Sequence, residues 1–185
     1  MAIIKPNNNT ISAITSLPAS ITTGKVLQVV SAFKDDNFST TSTSFTDITD
    51  LTLNITPSSS SNKILIFGHT AVSCSLDDRN ANLKIRKVIS ATTTDVGVAE
   101  SLGSAIATSA GGHLPYSTTG QAVATYNIAF QHLDSPNTTN QITYKLSVQV
   151  LSGTTVHIGR SSGFSSTDAN RSTFPSSISV MEVSG

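Results

Sequence analysis

The chain contains four histidines, and imidazole is the side chain that most often serves as a general base or a metal ligand near neutral pH. His69 and His132 fall on the apolar faces of predicted strands, so we interpret both as core or interface residues. His157 alternates outward between two apolar neighbours, and His113 lies in a predicted loop after two glycines. Three-fold symmetry could bring copies of one histidine onto an axis and form a metal or anion site. The sequence by itself predicts no metal site.

The carboxylates do not form a pattern that predicts a catalytic or metal site either. Asp77-Asp78-Arg79 is the densest charge cluster, and we interpret it as a polar turn, with a calcium site on Asp77 or Asp78 as the alternative. Glu100 and Glu182 are the only glutamates, and nothing pairs either with an aspartate as glycoside hydrolysis requires. The sequence also lacks the motifs of serine hydrolases, P-loop NTPases, zinc proteases and EF-hands. It therefore predicts a protein that is not an enzyme, with no catalytic residue and no cofactor.

Small hydroxyl side chains take the place of charges. The 185 residues include 30 Ser and 26 Thr, together 56 hydroxyl positions. Only 12% of the residues are charged, against roughly 25% in a typical globular domain. Because 11 basic residues balance 11 acidic ones, the chain lacks the positive field that nucleic acid requires, and we expect no nucleic-acid partner. The longest apolar run, residues 64–67, is far shorter than the roughly 20 residues of a membrane-spanning helix, so we expect no membrane insertion.

Apolar and polar residues alternate over most of the chain, which is typical of half-buried strands. The longest alternation aligns Ile142, Tyr144, Leu146, Val148 and Val150 within residues 141–151. Further strands are predicted at residues 26–33, 44–48, 51–56, 63–72, 83–89, 121–133, 155–158 and 177–183. The pattern predicts an all-β fold, an antiparallel β-sandwich that is jelly-roll-like.

Two connections have their own interpretations. Residues 57–62, Pro-Ser-Ser-Ser-Ser-Asn, are predicted to form a hairpin connection between the strands on either side. Residues 96–120 contain five of the 11 glycines, and the pattern leaves open a loose strand, a short helix at residues 99–108 or a long loop.

The predicted strand at residues 63–72 is apolar on both faces. Leu65 and Phe67 share one face, and Ile64 and Ile66 share the other. A sheet with one face in water needs only one apolar face on each strand. The strand is therefore either central and covered on both sides or in contact with another subunit, and the candidate interface residues are Ile64, Ile66 and Phe67.

The first 23 residues differ from the rest of the chain. Ser, Thr, Asn and Pro surround isolated apolar residues, and these residue types favour extended chain and turns over helix. We therefore predict two parts, an extended N-terminal docking arm at residues 1–23 and a β-sandwich domain at residues 24–185. The arm residues that are candidates for contact with a partner are Ile3, Ile4, Ile11, Ile14, Leu17 and Ile21.

Seven short blocks occur in the order found in one known family: Gly24-Lys25-Val26-Leu27-Gln28-Val29-Val30, Ser44-Phe45-Thr46-Asp47, Ile55-Thr56-Pro57-Ser58, Lys63-Ile64-Leu65, His132-Leu133-Asp134-Ser135-Pro136, Thr143-Tyr144-Lys145 and Ser179-Val180-Met181-Glu182-Val183. In these blocks the chain resembles a β-rich domain of tail-fibre and other virion structural proteins of marine bacteriophages, including those of cyanobacteria. The resemblance implies a non-enzymatic virion component that forms a homotrimer and contacts other virion proteins of the tail. It offers no catalytic residue.

The resemblance leaves the place on the virion open. A tail fibre or tail-associated host-recognition protein would turn its loops to the host, possible surface glycans included, and the candidate residues are Asp77, Asp78, Arg79, His113 and Tyr116. The chain has no fibre shaft, and a free-standing domain with an adhesive arm also suits a capsid decoration protein, such as a cement or head-fibre protein. A cell-surface carbohydrate-binding module is the third hypothesis, although the absence of Trp argues against a deep polysaccharide groove.

Overall fold

The computed structural model of the protein describes residues 25–76, 79–114, 125–163, 167 and 172–185. Within these ranges the chain forms eleven β-strands and no helix, so no described segment is a helix able to cross a membrane. The strands make two antiparallel sheets whose apolar inner faces pack together. The predicted all-β sandwich is confirmed.

The two sheets divide the strands almost equally. The first sheet contains β1 (Val26–Lys34), β2 (Phe38–Thr40), β4 (Lys63–Cys74), β8 (Tyr126–Asp134), β10 (Val156–Ile158) and β11 (Ser176–Val183). The second sheet contains β3 (Thr46–Ile55), β5 (Arg79–Ile89), β6 (Thr92–Val96), β7 (Ala110–Leu114) and β9 (Ile142–Gln149).

The order of the strands is that of a jelly roll. In the first sheet β11 and β10 lie end to end along one edge of β4, and β8 lies along the other edge. β1 and β2 lie end to end outside β11 and β10. In the second sheet the order is β3, β9, β5, with β6 and β7 end to end outside β5. Each sheet is therefore four strands wide, as in an eight-stranded double-sheet jelly roll.

Alternation along the strands builds the core. Every second residue of β11 is buried, and β9 buries Tyr144 and Leu146 completely. Ser177 and Ser179 on β11 and Thr143 on β9 alternate with the core residues on the outer faces, whereas Ser147 and Ser176 are buried. Each buried large apolar side chain contributes about 1.5–3 kcal/mol relative to exposure. The core residues are Ile48, Leu51, Leu53, Ile55, Ile64, Ile66, Val72, Cys74, Ala81, Leu83, Ile85, Val96, Ile128, Phe130, Ile142, Tyr144, Leu146, Val148, Val150, Val156, Ile158, Ile178 and Val180.

A bulge joins two strands that the sequence predicts separately. The strands predicted at residues 44–48 and 51–56 form the single strand β3 (Thr46–Ile55), whose register against β9 shifts between Asp47 and Thr52. Asp50 has a φ of 65°, a left-handed conformation that Asp tolerates better than most residues. Because of this bulge, Ile48 and Leu51 both face the core although they are three positions apart; in a regular strand they would face opposite sides.

The segment left open at residues 96–120 contains strand rather than helix where the structure describes it. β7 covers Ala110–Leu114, and residues 99–108 form neither helix nor strand. A further strand, β6, forms a tight hairpin with β5 through Ser90 and Ala91, which have φ values of 48° and 67°. Two-residue turns of this kind favour Asn-Gly or Asp-Gly, so Ser-Ala gave no turn signal and β6 was not predicted.

The predicted hairpin at residues 57–62 is wrong. β3 belongs to the second sheet and β4 to the first, so this connection crosses from one sheet to the other at the end of the sandwich. The Glu182 carboxylate, which is 1% exposed, holds it there. It accepts hydrogen bonds from the Ser58 backbone N–H at 2.7 Å, Ser58 Oγ at 2.8 Å, Asn62 Nδ2 at 2.6 Å and Gln28 Nε2 at 2.5 Å.

These donors decide the charge state of Glu182. Burial raises the pKa of the carboxyl, but the hydrogen bonds from Asn62, Gln28 and Ser58 outweigh burial and lower the pKa from 4.5 to about 2. The charge is therefore stabilised by dipoles alone, with no cation among the described contacts. Hydrogen bonds to a charged group contribute about 1.5–3 kcal/mol each, more than neutral ones.

A buried ion pair links the two sheets elsewhere. Lys87 on β5 donates to both carboxylate oxygens of Asp134 on β8 at 2.9 and 3.0 Å. Tyr144 on β9 donates its hydroxyl to the same carboxylate at 2.7 Å. Burial and the neighbouring carboxylate raise the pKa of Tyr144, so the phenol keeps its proton and donates at neutral pH. The contact fixes how β8 sits against the second sheet.

We predict that Glu182→Gln destabilises the protein by about 3 kcal/mol, because the new amide group presents hydrogens to donors that need an acceptor.

The ionised carboxylate stabilises the fold fully above pH 4.5, and this contribution is lost as the pH falls toward about 2. The variant should therefore show a flatter stability profile between those two pH values in chemical denaturation. Glu100→Gln, at an exposed loop position, is the matched control. An unchanged acid profile in Glu182→Gln would contradict the prediction.

Candidate functional site

Strand β4 is apolar on both faces, and the burial of its residues shows which of them a partner could contact. Ile64 and Ile66 are 0% exposed and lie in the core of their own chain, so their prediction as subunit-interface residues is wrong. They face inward because β4 is a central strand whose inner face packs against the second sheet. Phe67 and its neighbour Leu65 lie on the opposite, outer face and are only partly buried. The outer face is therefore the one available for docking.

An apolar row crosses this outer face from edge to edge. Val29 on β1 is opposite Met181 on β11, Met181 is opposite Leu65 on β4, and Leu65 is opposite Leu133 on β8. Val29 and Leu133, at the two edges, are 55% and 48% exposed. Phe67 lies one row along, and Phe33, 62% exposed, lies two rows along on β1. We call this set the apolar face: Val29, Phe33, Leu65, Phe67, Leu133 and Met181.

Uncharged polar groups lie within and beside the apolar face. Ser31 and Ser179 join their hydroxyls at 2.8 Å, and the Ser177 hydroxyl lies 3.2 Å from His69 Nδ1. On β1, β4, β8 and β11, the outward-facing positions carry a single charged side chain, Lys63 at one end of the face. Exposed apolar patches with a polar rim typically mark sites of association.

The outer face of the second sheet is charged, in contrast to the apolar face of the first sheet, because ion pairs join its strands. Lys145 and Arg86 pair with Asp47 at 3.0 and 3.5 Å, and Lys84 pairs with Asp95 at 2.6 Å. Partial burial raises the pKa of the Asp47 carboxyl, but hydrogen bonds from Ser147 and Lys145 and the two nearby cations outweigh it, so the pKa is lowered. Charges that are already paired and solvated make this the water-facing side of the sandwich.

The predicted host-facing residues are not all in loops. Arg79 begins β5, is partly buried and donates to Thr154 Oγ1 at 3.3 Å. His113 lies within β7, paired with Asn80. Both positions are therefore strand residues, and the interpretation of them as loop residues is wrong. Asp77, Asp78 and Tyr116 lie outside the described residues.

The predicted docking arm cannot be compared with the structure. Residues 1–23, which include Ile3, Ile4, Ile11, Ile14, Leu17 and Ile21, lie outside the described residues. The described chain begins at Lys25, whose carbonyl accepts a hydrogen bond from the Ser184 N–H. The first described residue therefore lies at the edge strand of the first sheet, and the arm stays a prediction.

The three histidines whose side chains are described have separate surroundings. His132 faces inward from β8 and lies beside Gly97. A side chain at position 97 would not fit, because its Cβ would lie 2.9 Å from the imidazole ring. Gly97 has a φ of 62°, which glycine adopts without strain. His157 is at an outward position, as predicted, but it is covered, and burial together with the Arg160 charge lowers its pKa. His69 lines a pocket on the outer face of the first sheet. In the described part of the chain, no three His, Cys, Asp or Glu residues are grouped to hold a metal.

Sequence reasoning missed Val29, Leu133 and Met181. Val29 and Met181 each stand beside an inward-facing Val in the sequence, so the sequence does not say which of the two neighbours faces outward. Only the pairing register of four strands, from distant parts of the chain, shows that these residues align with Leu65. The available signal was that β1 and β8 place large apolar residues at positions where other strands carry Ser or Thr.

Comparison with known proteins adds little to this description. No protein-family model matches the chain, and no curated protein matches it. One similar solved structure is described as "Structure of infectious bursal disease virus Gx strain"; it matches 84% of this chain at 13% sequence identity with a TM-score of 0.38. The match covers 40% of that chain, so the present sequence spans less than half of its length. These findings do not support the specific resemblance to marine phage tail-fibre domains, and a similarity this low assigns no function.

Proposed function

We propose that this protein is a non-enzymatic structural component of a bacteriophage virion, a tail-fibre or tail-associated protein that forms a homotrimer through the apolar face. The observation that carries the proposal is the contrast between the two outer faces. One is apolar from edge to edge and nearly free of charge, and the other carries paired charges. A protein that acted alone in water would have little reason to keep one face apolar.

The size of the apolar face fits part of a stable interface. Four strands at about 4.8 Å spacing and the length of β4 from Lys63 to Phe67 give roughly 20 Å by 13 Å, on the order of 250 Å². A standard interface buries about 800 Å² per partner, with an apolar centre inside a polar rim. The apolar face would supply that centre, and the surrounding Ser, Gln and Asn residues would supply the rim.

A second copy of the chain is the occupant that this chemistry favours. The face offers no charge for a charged partner to recognise, and its apolar residues reach both edges at Val29 and Leu133. In a closed ring of three, the β8 edge of one copy can contact the central strand of the next. Homo-oligomers with closed symmetry are the commonest assemblies of soluble proteins.

The virion role has separate support in the composition. Hydroxyl groups depend little on salt, whereas exposed charge pairs are screened by it. Such a surface suits a particle that meets varying media outside a cell. The seven sequence blocks that resemble tail-fibre domains supply the finer assignment to a tail, and residues 1–23 would then dock the trimer to another virion protein.

We predict that the intact protein has a solution mass about three times the 19.3 kDa of the chain, measured by light scattering after size exclusion. Val29→Asp and Leu133→Asp should each yield folded monomer, because a carboxylate within an apolar contact must be desolvated without a partner. Both positions are half exposed, so the monomer itself should tolerate them. Thr93→Asp, at an exposed position of β6, is the control and should remain trimeric. A monomeric wild type, or trimers in both apolar-face variants, would overturn the interface.

The arm has a test of its own. Removing residues 1–23 should leave a folded trimer, because the described strands close the core without them, yet it should abolish incorporation into particles. Quantitative mass spectrometry of purified virions measures incorporation and copy number together. Tens of copies would fit a tail location, whereas hundreds would show a capsid decoration protein. Normal incorporation of the shortened chain would rule out docking by the arm.

A further inference from the structure

A pocket of about 140 Å³ opens on the outer face of the first sheet, away from the apolar row. His69 lies four residues beyond Leu65 on β4, about 13 Å along the strand. The chain segment just before β11 forms the opposite wall of the pocket. The lining residues are His69, Ala71, Thr125, Asn127, Phe174 and Pro175.

The pocket contains hydrogen-bonding groups that the described residues leave free. Thr125 Oγ1 is buried and has no hydrogen-bond partner in the described part of the chain. His69 uses Nδ1 with the Ser177 hydroxyl at 3.2 Å, which leaves Nε2 for another contact. Asn127 is exposed on β8, and its amide can both donate and accept. Buried polar groups are nearly always paired, so the lone Thr125 hydroxyl points to a ligand that supplies its partner.

The remaining lining is apolar and partly exposed. Phe174 is 42% exposed, and Pro175 and Ala71 extend the apolar surface beside it. Among the described residues, no Asp, Glu, Lys or Arg lines the pocket, and His69 is the one ionisable side chain in the lining. That absence from the lining disfavours cations, which need carboxylate oxygens, and phosphates or carboxylates, which need Arg or Lys. The ligand should therefore be neutral, with one apolar face and hydroxyls around its edge.

We infer that the pocket binds a single neutral sugar ring, such as one pyranose unit of a surface glycan. A pyranose presents C–H groups on one face, which can pack against Phe174 and Pro175, and hydroxyls on its rim, which can reach Thr125, Asn127 and His69. The volume lies below that of drug-sized sites, which measure about 300–1,000 Å³. One ring fits and a chain does not, so the affinity of one site falls in the millimolar range. Three copies in a trimer would raise the avidity without any further contact.

The test uses saturation-transfer difference NMR on the full chain with four probes: the methyl glycosides of glucose, galactose, mannose and N-acetylglucosamine. At least one should bind, and Asn127→Ala and Phe174→Ala should each weaken its binding by about tenfold, the loss expected for one good contact. Asn140→Ala, at an exposed loop position, and Phe45→Ala, on the second sheet, are the matched controls and should bind as wild type. Circular dichroism shows whether each variant is folded; Asn127 is exposed, so that variant remains informative if Phe174→Ala is unstable.

Three outcomes would overturn the inference. They are no binding of any of the four glycosides to the wild type, binding that both pocket variants retain, and binding of glucuronate or sialic acid in place of the neutral sugars. The inference stands apart from trimer formation, because the Leu133→Asp variant should bind the same glycoside with unchanged single-site affinity. The tests can therefore reject the sugar site and keep the trimer interface, or reject the interface and keep the sugar site.

Discussion

The packing of two sheets through their inner faces is the constraint on which the rest of the structure depends. Each strand offers two faces, and the sandwich removes only one of them from water. With 12% charged residues, the protein cannot protect its outer faces and strand edges with Lys and Glu as many β-proteins do. Hydroxyls protect most of the surface, and the outer face of the first sheet remains apolar. Its apolar row follows from the register of β1, β11, β4 and β8, and not from any single strand.

The few charges are placed where they hold elements together. Lys34 is 1% exposed at the end of β1 and reaches Asp36, Thr49 and, at 3.5 Å, Asp50, so it ties the edge of the first sheet to β3 in the second. Lys87 and Asp134 connect the sheets at another point. A buried ion pair stabilises little relative to an apolar pair of the same size, but losing one partner is costly. These contacts therefore fix how the sheets are aligned more than they raise the stability.

Alternation was enough to predict the class of fold and most of the strands. Alternation succeeds because the side chains of a strand with one face in water must repeat with a period of two.

Alternation could not assign the strands to sheets, since the turn at residues 57–62 has the same composition whether it closes a hairpin or crosses the sandwich. It also could not say which face of the strand at residues 63–72 is inside: Ile64 and Leu65 are equally apolar, and only the pairing with β8 and β11 separates them. The bulge at Asp50 and the Ser90-Ala91 turn depend on left-handed backbone that tertiary packing imposes.

The apolar row and the pocket share one face, and their separation along β4 lets both be used at once. If three copies meet through Leu65 and its neighbours, the His69 end of the strand still projects past the contact by about four residues, or 13 Å. If the three-fold axis of the proposed trimer runs along the strands, all three pockets open at one end of the assembly. Several sites of low affinity bind effectively when they contact a surface that carries many copies of the same ligand. In the proposed trimer the pocket end of β4 would face a glycan, and the opposite end, where the chain enters β1 at Lys25, would be free for attachment.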